Sequence, residues 1–391
     1  MAVALLILGI ILFIGLILIH EWGHFIAAKK GGVEVEEYSV FFPPKLYKRK
    51  TKGGWQFVIG ALPLGGYVKL KGEHDTDTAK GSYGAADLWT KTKIMGAGVF
   101  MNLVTAFLLL MVLAWLGMPK IMDNQFTVAS DTKVISRGQH HVVLEEVTKN
   151  QPAAKAGLKR DDILQKIADT PVTDVKSLQQ ASKKYAGQTV TVTYERAKKQ
   201  QTATATLNSV ESQQGKQQPT YLGVSISEVK QGADLRRSTW SAPIVAGGLI
   251  GQFTWATLQG LGNALQGLGS LIAGAVTGNT VARQHGQSEA AEQVSGPIGI
   301  VMVLNFVSHM NYQFMLLIIA LISLTLAIMN LLPIPALDGG RLWLTLISRG
   351  IFKKPLTQKV EENVNAAGFF ILIGLTIIIA RSEERRVGKE C

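Results

Sequence analysis

The chain has 391 residues, 47% of them hydrophobic, with 40 Lys and Arg against 28 Asp and Glu, a formal net charge of +12. That length holds two or three domains, and basic residues flanking apolar runs indicate a mixed membrane and soluble protein that meets anionic lipid headgroups. The single cysteine, Cys391, excludes an intrachain disulfide, and no zinc finger, helix-turn-helix signature or stacked-aromatic pattern points to nucleic acid.

Residues 1–28 are expected to form the first membrane span, since nineteen uncharged residues lead directly into His20-Glu21-Trp22-Gly23-His24. A cleaved signal peptide fits less well, because no basic stretch precedes the run and no A-x-A-like site follows it. A basic region follows at 29–93, in which WQFVIGALPLGGYVKL (55–70) reads as a β-hairpin or sheet around a Pro/Gly turn. The second span is predicted at 94–118, with Asn102 its only strongly polar side chain. The polar stretch that follows, with runs such as HVVLEEV and QTVTVTYE, has the composition of a soluble domain.

Residues 209–297 read as a linker with an amphipathic helix inside 238–282. Gln252, Gln259, Asn263, Gln266 and Ser270 fall on one helical face, which favours a helix lying at the interface over a crossing one. A third span is expected at 311–340, closing in NLLPIPALDGG, then a loop at 341–365 and a short fourth span at 366–380. The final RSEERRVGKEC (381–391) reads as the translation of a sequencing adapter and is set aside from fold reasoning.

Ionisable groups at the end of an apolar span are costly and are functional by default. Histidines at i and i+4 share a helix face, so His20 and His24 can take two tetrahedral positions on Zn²⁺. Glu21 lies one residue further round, where it can serve as general base toward a water activated by the metal. The alternative is a helix end carrying interfacial His and Glu. A third ligand must come from the edge of another apolar segment, where His309 begins span three and Asp338 ends it. If spans one and three run in the same direction, HEWGH and Asp338 meet at one depth and His309 lies on the far side. An interfacial aspartate capping the next helix is the plainer reading of Asp338, but the matching depth favours a ligand. Pro333 and Pro335 interrupt the helix, which a membrane tolerates only beside protein or a wet cavity. Basic residues gather at 29–93 (Lys29, Lys30, Lys91, Lys93) and 341–365 (Arg341, Arg349, Lys353, Lys354, Lys359), so both loops read as cytoplasmic.

HEWGHFIAAKKGGVEVEEYSV, GALPLGGYVKLKGE, GAGVFMN, SGPIGI and NLLPIPALDGGRL, in that order, resemble the site-2 proteases, intramembrane zinc metalloproteases, in their bacterial RseP/RasP/Eep-type branch with one PDZ domain. The resemblance runs through Ala380. It implies a multi-pass α-helical membrane protein with four spans, a membrane-associated β-hairpin or sheet and an inserted α+β PDZ domain at 125–208. It also implies one Zn²⁺ held by His20, His24 and Asp338, with Glu21 as catalytic base. Asn330 would help hold the substrate backbone, and Gly65, Gly66 and Tyr67 lie in the segment that would pair with an extended substrate. Asn102 is read as structural, and His74, His140, His141 and His285 as surface residues. VVLEEVTKNQPAAKAGLKRDDILQKIADTPV (142–172) carries the PDZ likeness, with Arg160-Asp161-Asp162 where the family has Gly-Asp. The PDZ would bind a substrate tail, filter substrates by size or serve as a spacer.

By this resemblance the protein cuts single-span membrane proteins, such as anti-sigma factors, remnant signal peptides or pheromone precursors, after an upstream protease has trimmed them. It would act in the bacterial cytoplasmic membrane, with the PDZ outside. Two rival readings are a non-catalytic PDZ scaffold, which would not need Glu21, and a metal-cation transporter, for which the expected internal repeat is missing.

Overall fold

The computed structural model describes residues 2–136, 139–196, 199–211, 221–231, 234–277, 297–368 and 370. They form two compact units, 1–133 with 236–391, and 134–235.

The first unit is built on helices. α1 (Ala2–Lys30) ends where Gly31 donates its N–H to Ala27 O and Gly32 takes a positive φ of 74°, a glycine helix stop. α2 (Leu88–Leu116) starts earlier than the predicted 94. Asp87 caps it by accepting from the N–H groups of Trp89 and Thr90, which overrides the hydropathy boundary. After the intervening unit come α3 (Ala242–Thr277), α4 (Pro297–Ser308) and α5 (Tyr312–Met329). The third predicted span therefore stops at Met329, and 338–345 form a separate helix, α6 (Asp338–Thr345). Among the described residues, α1, α2 and α5 are long and apolar enough to cross a membrane. The predicted fourth span and the tail fall largely outside the described residues, which take in 366–368 and 370 of it, all helical.

α3 is a continuous helix, and Gln259, Asn263 and Gln266 of the polar stripe are exposed. Its first three turns do more than lie on a surface. Ala242, Val245, Leu249 and Phe253 are buried with Leu110 and Leu113 of α2 and Leu317 and Leu324 of α5. Gln252 leaves the stripe to bind a loop, accepting from Phe126 N–H at 2.7 Å and donating to Asn124 O at 2.8 Å. α4 has no counterpart in the sequence-based reading, which ended its linker at 297. Leu304 and Val307 bury it against Leu16 of α1 and Met315 of α5.

The loop between α1 and α2 folds as two long strands, β1 (Val35–Lys50) and β2 (Gln56–Leu70). Of the two forms expected for 55–70, a hairpin or a sheet, the structure has a sheet, because the two halves of β2 do not pair with each other. They flank β1 instead: Tyr38 has Val68 on one side and Phe57 on the other, and 56–60 also pair with 45–50. The Pro63–Gly66 stretch swings the chain wide enough to admit residues 37–40 between its arms. One face of this sheet packs on the end of α1, where Phe25, Val33, Tyr38, Leu70, Ile94 and Leu342 share a core. Below it, the buried carboxylate of Asp75 takes Lys91 of α2, the Nε–H of Arg349 shared between its two oxygens at 2.8 and 2.9 Å, and the N–H of Leu356 at 2.7 Å.

The second unit is a sheet of β3 (Gln139–Val147), β4 (Ile163–Ile167), β5 (Thr189–Arg196), β6 (Lys199–Thr206) and β7 (Val224–Gln231), in the order β7-β3-β4-β5-β6. Its ten-residue helix, Val175–Lys184, places Leu178 in the same core as Val142, Leu144, Leu164 and Val192. This unit, 134–235, overlaps most of the 125–208 stretch. Residues 125–133 belong to the helical unit, where Asp131 caps α3, and β7 supplies a strand beyond 208 by pairing along β3. Within Arg160-Asp161-Asp162, Asp161 takes a φ of 68°, and buried Asp162 is held by Arg196 at 2.6 Å. A short polar side chain tolerates that backbone better than most.

Candidate metal centre

α1 brings His20, Glu21 and His24 to the level of residues 94–102 of α2. The two helices approach closely there because both carry glycine. A β-carbon on Gly23 would stand 2.6 Å from Ala97 O, and one on Gly98 would stand 2.5 Å from His20 Cε1 and from His24 Nε2. The imidazoles therefore lie across a gap in α2 that any side chain would fill. His24 donates from Nδ1 to Ile94 O at 2.7 Å. A carbonyl can only accept, so Nδ1 carries a proton and, in the neutral ring that a metal requires, the Nε2 lone pair faces the site.

Asp338 arrives after an abrupt reversal of the chain. Asn330 ends α5, with its N–H on Leu326 O at 3.0 Å. Pro333 and Pro335 have no N–H to continue a helix, and Ala336 takes a φ of 70°. Gly339 and Gly340 lie against the backbone carbonyls of Leu332 and Ile334, where a β-carbon on either would collide. This tight loop starts α6 at Asp338 and aims its carboxylate back at α1.

Three ligating atoms converge. His20 Nε2 is 2.9 Å from Asp338 Oδ2, His24 Nε2 is 3.1 Å from it, and the two Nε2 atoms are 3.2 Å apart. Tetrahedral ligands at ordinary zinc bond lengths stand ~3.3 Å from one another. The triangle therefore matches one face of a tetrahedron, and two imidazoles with one carboxylate are a zinc donor set. It is the one such group among the described residues. His309 is elsewhere, its Nδ1 hydrogen-bonded to Asn305 O at 2.9 Å.

Glu21 stands beside the triangle and faces β2. A β-carbon on Gly66 would lie 3.3 Å from Glu21 Cγ and 2.8 Å from Ser39 O. Gly66 thus lets the strand pass the carboxylate closely. Gly65 packs instead on the Phe42 ring, and the Tyr67 hydroxyl donates to Glu37 Oε2 at 3.0 Å. Asn330 holds the end of α5.

Sequence reasoning passed over Gly98 and read Asn102 as structural; the Asn102 carboxamide lies 3.1 Å from His20 Nδ1. Their spacing in GAGVFMN, four residues and hence one helix face, was the available signal.

The sequence profile of Peptidase family M50 matches residues 8–375. A Clostridium perfringens protein named "Putative zinc metalloprotease" is 29% identical over 375 residues, 96% of each chain. Similarly named proteins of a Nostoc species and of Campylobacter jejuni are each 27% identical, over 94% and 95% of this chain and 92% and 91% of their own. With the profile spanning nearly its whole length, the chain belongs to peptidase family M50, the site-2 protease family.

Proposed function

We propose that this protein is an intramembrane zinc endopeptidase that hydrolyses peptide bonds in or near the transmembrane segment of single-span membrane proteins. One observation carries the reading: the His20, His24 and Asp338 donor atoms meet in a tetrahedral face with Glu21 beside them. Zinc, when bound, polarises the scissile carbonyl and makes a water acidic enough to be deprotonated near neutral pH. Glu21 takes that proton as general base and delivers it to the departing amine nitrogen. Ile94 O keeps His24 in the tautomer that ligates, and the start of α6 places the Asp338 carboxylate at a helix N-terminus, where negative charge is favoured.

The membrane placement rests on α2. Its exposed Trp89 and Trp115 are ~39 Å apart along the helix, the spacing of two aromatic belts. Residues 94–102, level with the donors, lie nearer the Trp89 end, the side of the basic loops. That end is the cytoplasmic face of a bacterial inner membrane. The substrate span unwinds locally and its extended backbone pairs beside β2, with Asn330 and the 65–67 segment at the entry. The 134–235 unit acts as a PDZ-like domain outside the membrane that filters or captures trimmed substrates. Anti-sigma factors and remnant signal peptides fit as substrates because each leaves a short single span after a first cut.

Metal analysis of the detergent-purified chain tests the site. The parent is expected to hold a single zinc, and His20→Ala, His24→Ala and Asp338→Asn to lose it. Full zinc occupancy in all three variants would overturn the assignment.

A further inference from the structure

The two histidines are held from behind in different ways. Behind His24 is a carbonyl, which accepts only. Behind His20 is a carboxamide, which can do either. Asn102 is 1% exposed, and its Nδ2 lies 3.1 Å from His20 Nδ1 while its Oδ1 is buried without a partner. In that orientation Nδ1 is the acceptor, so the ring proton sits on Nε2, facing Asp338. An Nε2 that bears a proton has no lone pair for a metal. Half a turn of the carboxamide exchanges its oxygen and nitrogen without changing its shape. Oδ1 then accepts from Nδ1–H, and the Nε2 lone pair joins that of His24.

We propose that Asn102 is a positioning residue of the metal centre, whose Oδ1 accepts the His20 Nδ1 proton and so fixes the tautomer that ligates through Nε2. This rests on the zinc reading of His20, His24 and Asp338. The residue is well anchored for the task. Its own backbone carbonyl accepts from Ser323 Oγ of α5 at 2.8 Å, tying α2 to α5 at the depth of the site. Ile94, Gly98 and Asn102 recur every four residues, so one face of α2 offers HEWGH a carbonyl for His24, a gap for both rings and a carboxamide for His20. A group that orients a ligating histidine through its second nitrogen is worth about 10–100-fold in metal affinity.

Zinc affinity of the full chain in detergent, measured by competition with a chromophoric chelator, tests this without reference to cleavage. Asn102→Leu keeps the shape and removes the acceptor, and Asn102→Ala removes it with less bulk. Both are expected to weaken zinc about 10–100-fold. Asn102→Asp can only accept, and it is expected to bind zinc at least as tightly as the parent, a rescue that a packing role would not give. Parental affinity in the Leu and Ala variants would overturn the proposal. So would an Asp variant as weak as they are. His20→Ala separates the two claims: if it too binds zinc like the parent, the metal reading fails, whereas weak binding there with parental binding in Asn102→Leu condemns the positioning role alone.

Discussion

Gly66 of β2 stands directly against Glu21 of α1, with room between them for a hydrogen but no side chain: a β-carbon would sit 3.3 Å from Glu21 Cγ and 2.8 Å from Ser39 O. The close passage of the strand over the candidate base depends on that missing carbon. Gly66→Val is expected to push β2 away, at the roughly 1–3 kcal/mol typical of overpacking. Cleavage should fall about tenfold or more by that arithmetic, with bound zinc unchanged. Parallel assays of peptide cleavage and zinc content check it, and loss of zinc would place the damage elsewhere.

Gly98 makes a sharper contrast, because its neighbour Gly96 serves as a control. A β-carbon at 98 meets both imidazoles, while at Gly96 nothing lies within 4 Å. Gly98→Ala is expected to displace the rings and weaken zinc by about tenfold or more. Gly96→Ala should leave zinc binding alone and stabilise α2 by up to about 1 kcal/mol, since glycine is a poor helix former. Chelator competition and thermal unfolding distinguish the two.

Asp75 predicts the acid limit of the helical unit. Burial opposes its ionisation, but Arg349, Lys91 and the Leu356 N–H outweigh that and hold its carboxyl below the usual range. A carboxyl with a depressed folded-state value stabilises fully above the ordinary carboxylate range, and that stability is lost as pH falls through the folded value. Unfolding midpoints should therefore be flat near neutrality and drop only in strong acid. Asp75→Asn leaves Lys91 and Arg349 without their anion, at a cost of about 3–5 kcal/mol, and should abolish this acid dependence. Midpoints recorded against pH for both proteins check the sign.

Much of this arrangement is legible in the residues. HEWGH states its chemistry in five positions because a helix repeats nearly every four, and Asp338 was reachable by asking which acidic group ends an apolar run at the same depth. What escaped reading depends on contacts distant in sequence. Asn102 meets His20 across 82 residues, and no local pattern reports it. The arms of β2 flank Tyr38 rather than each other, which a Pro/Gly turn between two apolar runs cannot disclose. The start of α2 lies in charged sequence because Lys91 is neutralised by a buried Asp75, so hydropathy placed the boundary too late. α4 was missed because its twelve mostly apolar residues are too few to suggest a span.

The most direct measurement compares the parent with Glu21→Gln in proteoliposomes containing a tagged single-span membrane protein, with zinc quantified in both. Loss of a general base should lower cleavage by about 10²–10⁴-fold while zinc stays bound, because Glu21 is not among the three converging donors. Equal cleavage by the two proteins, each carrying zinc, would contradict the account.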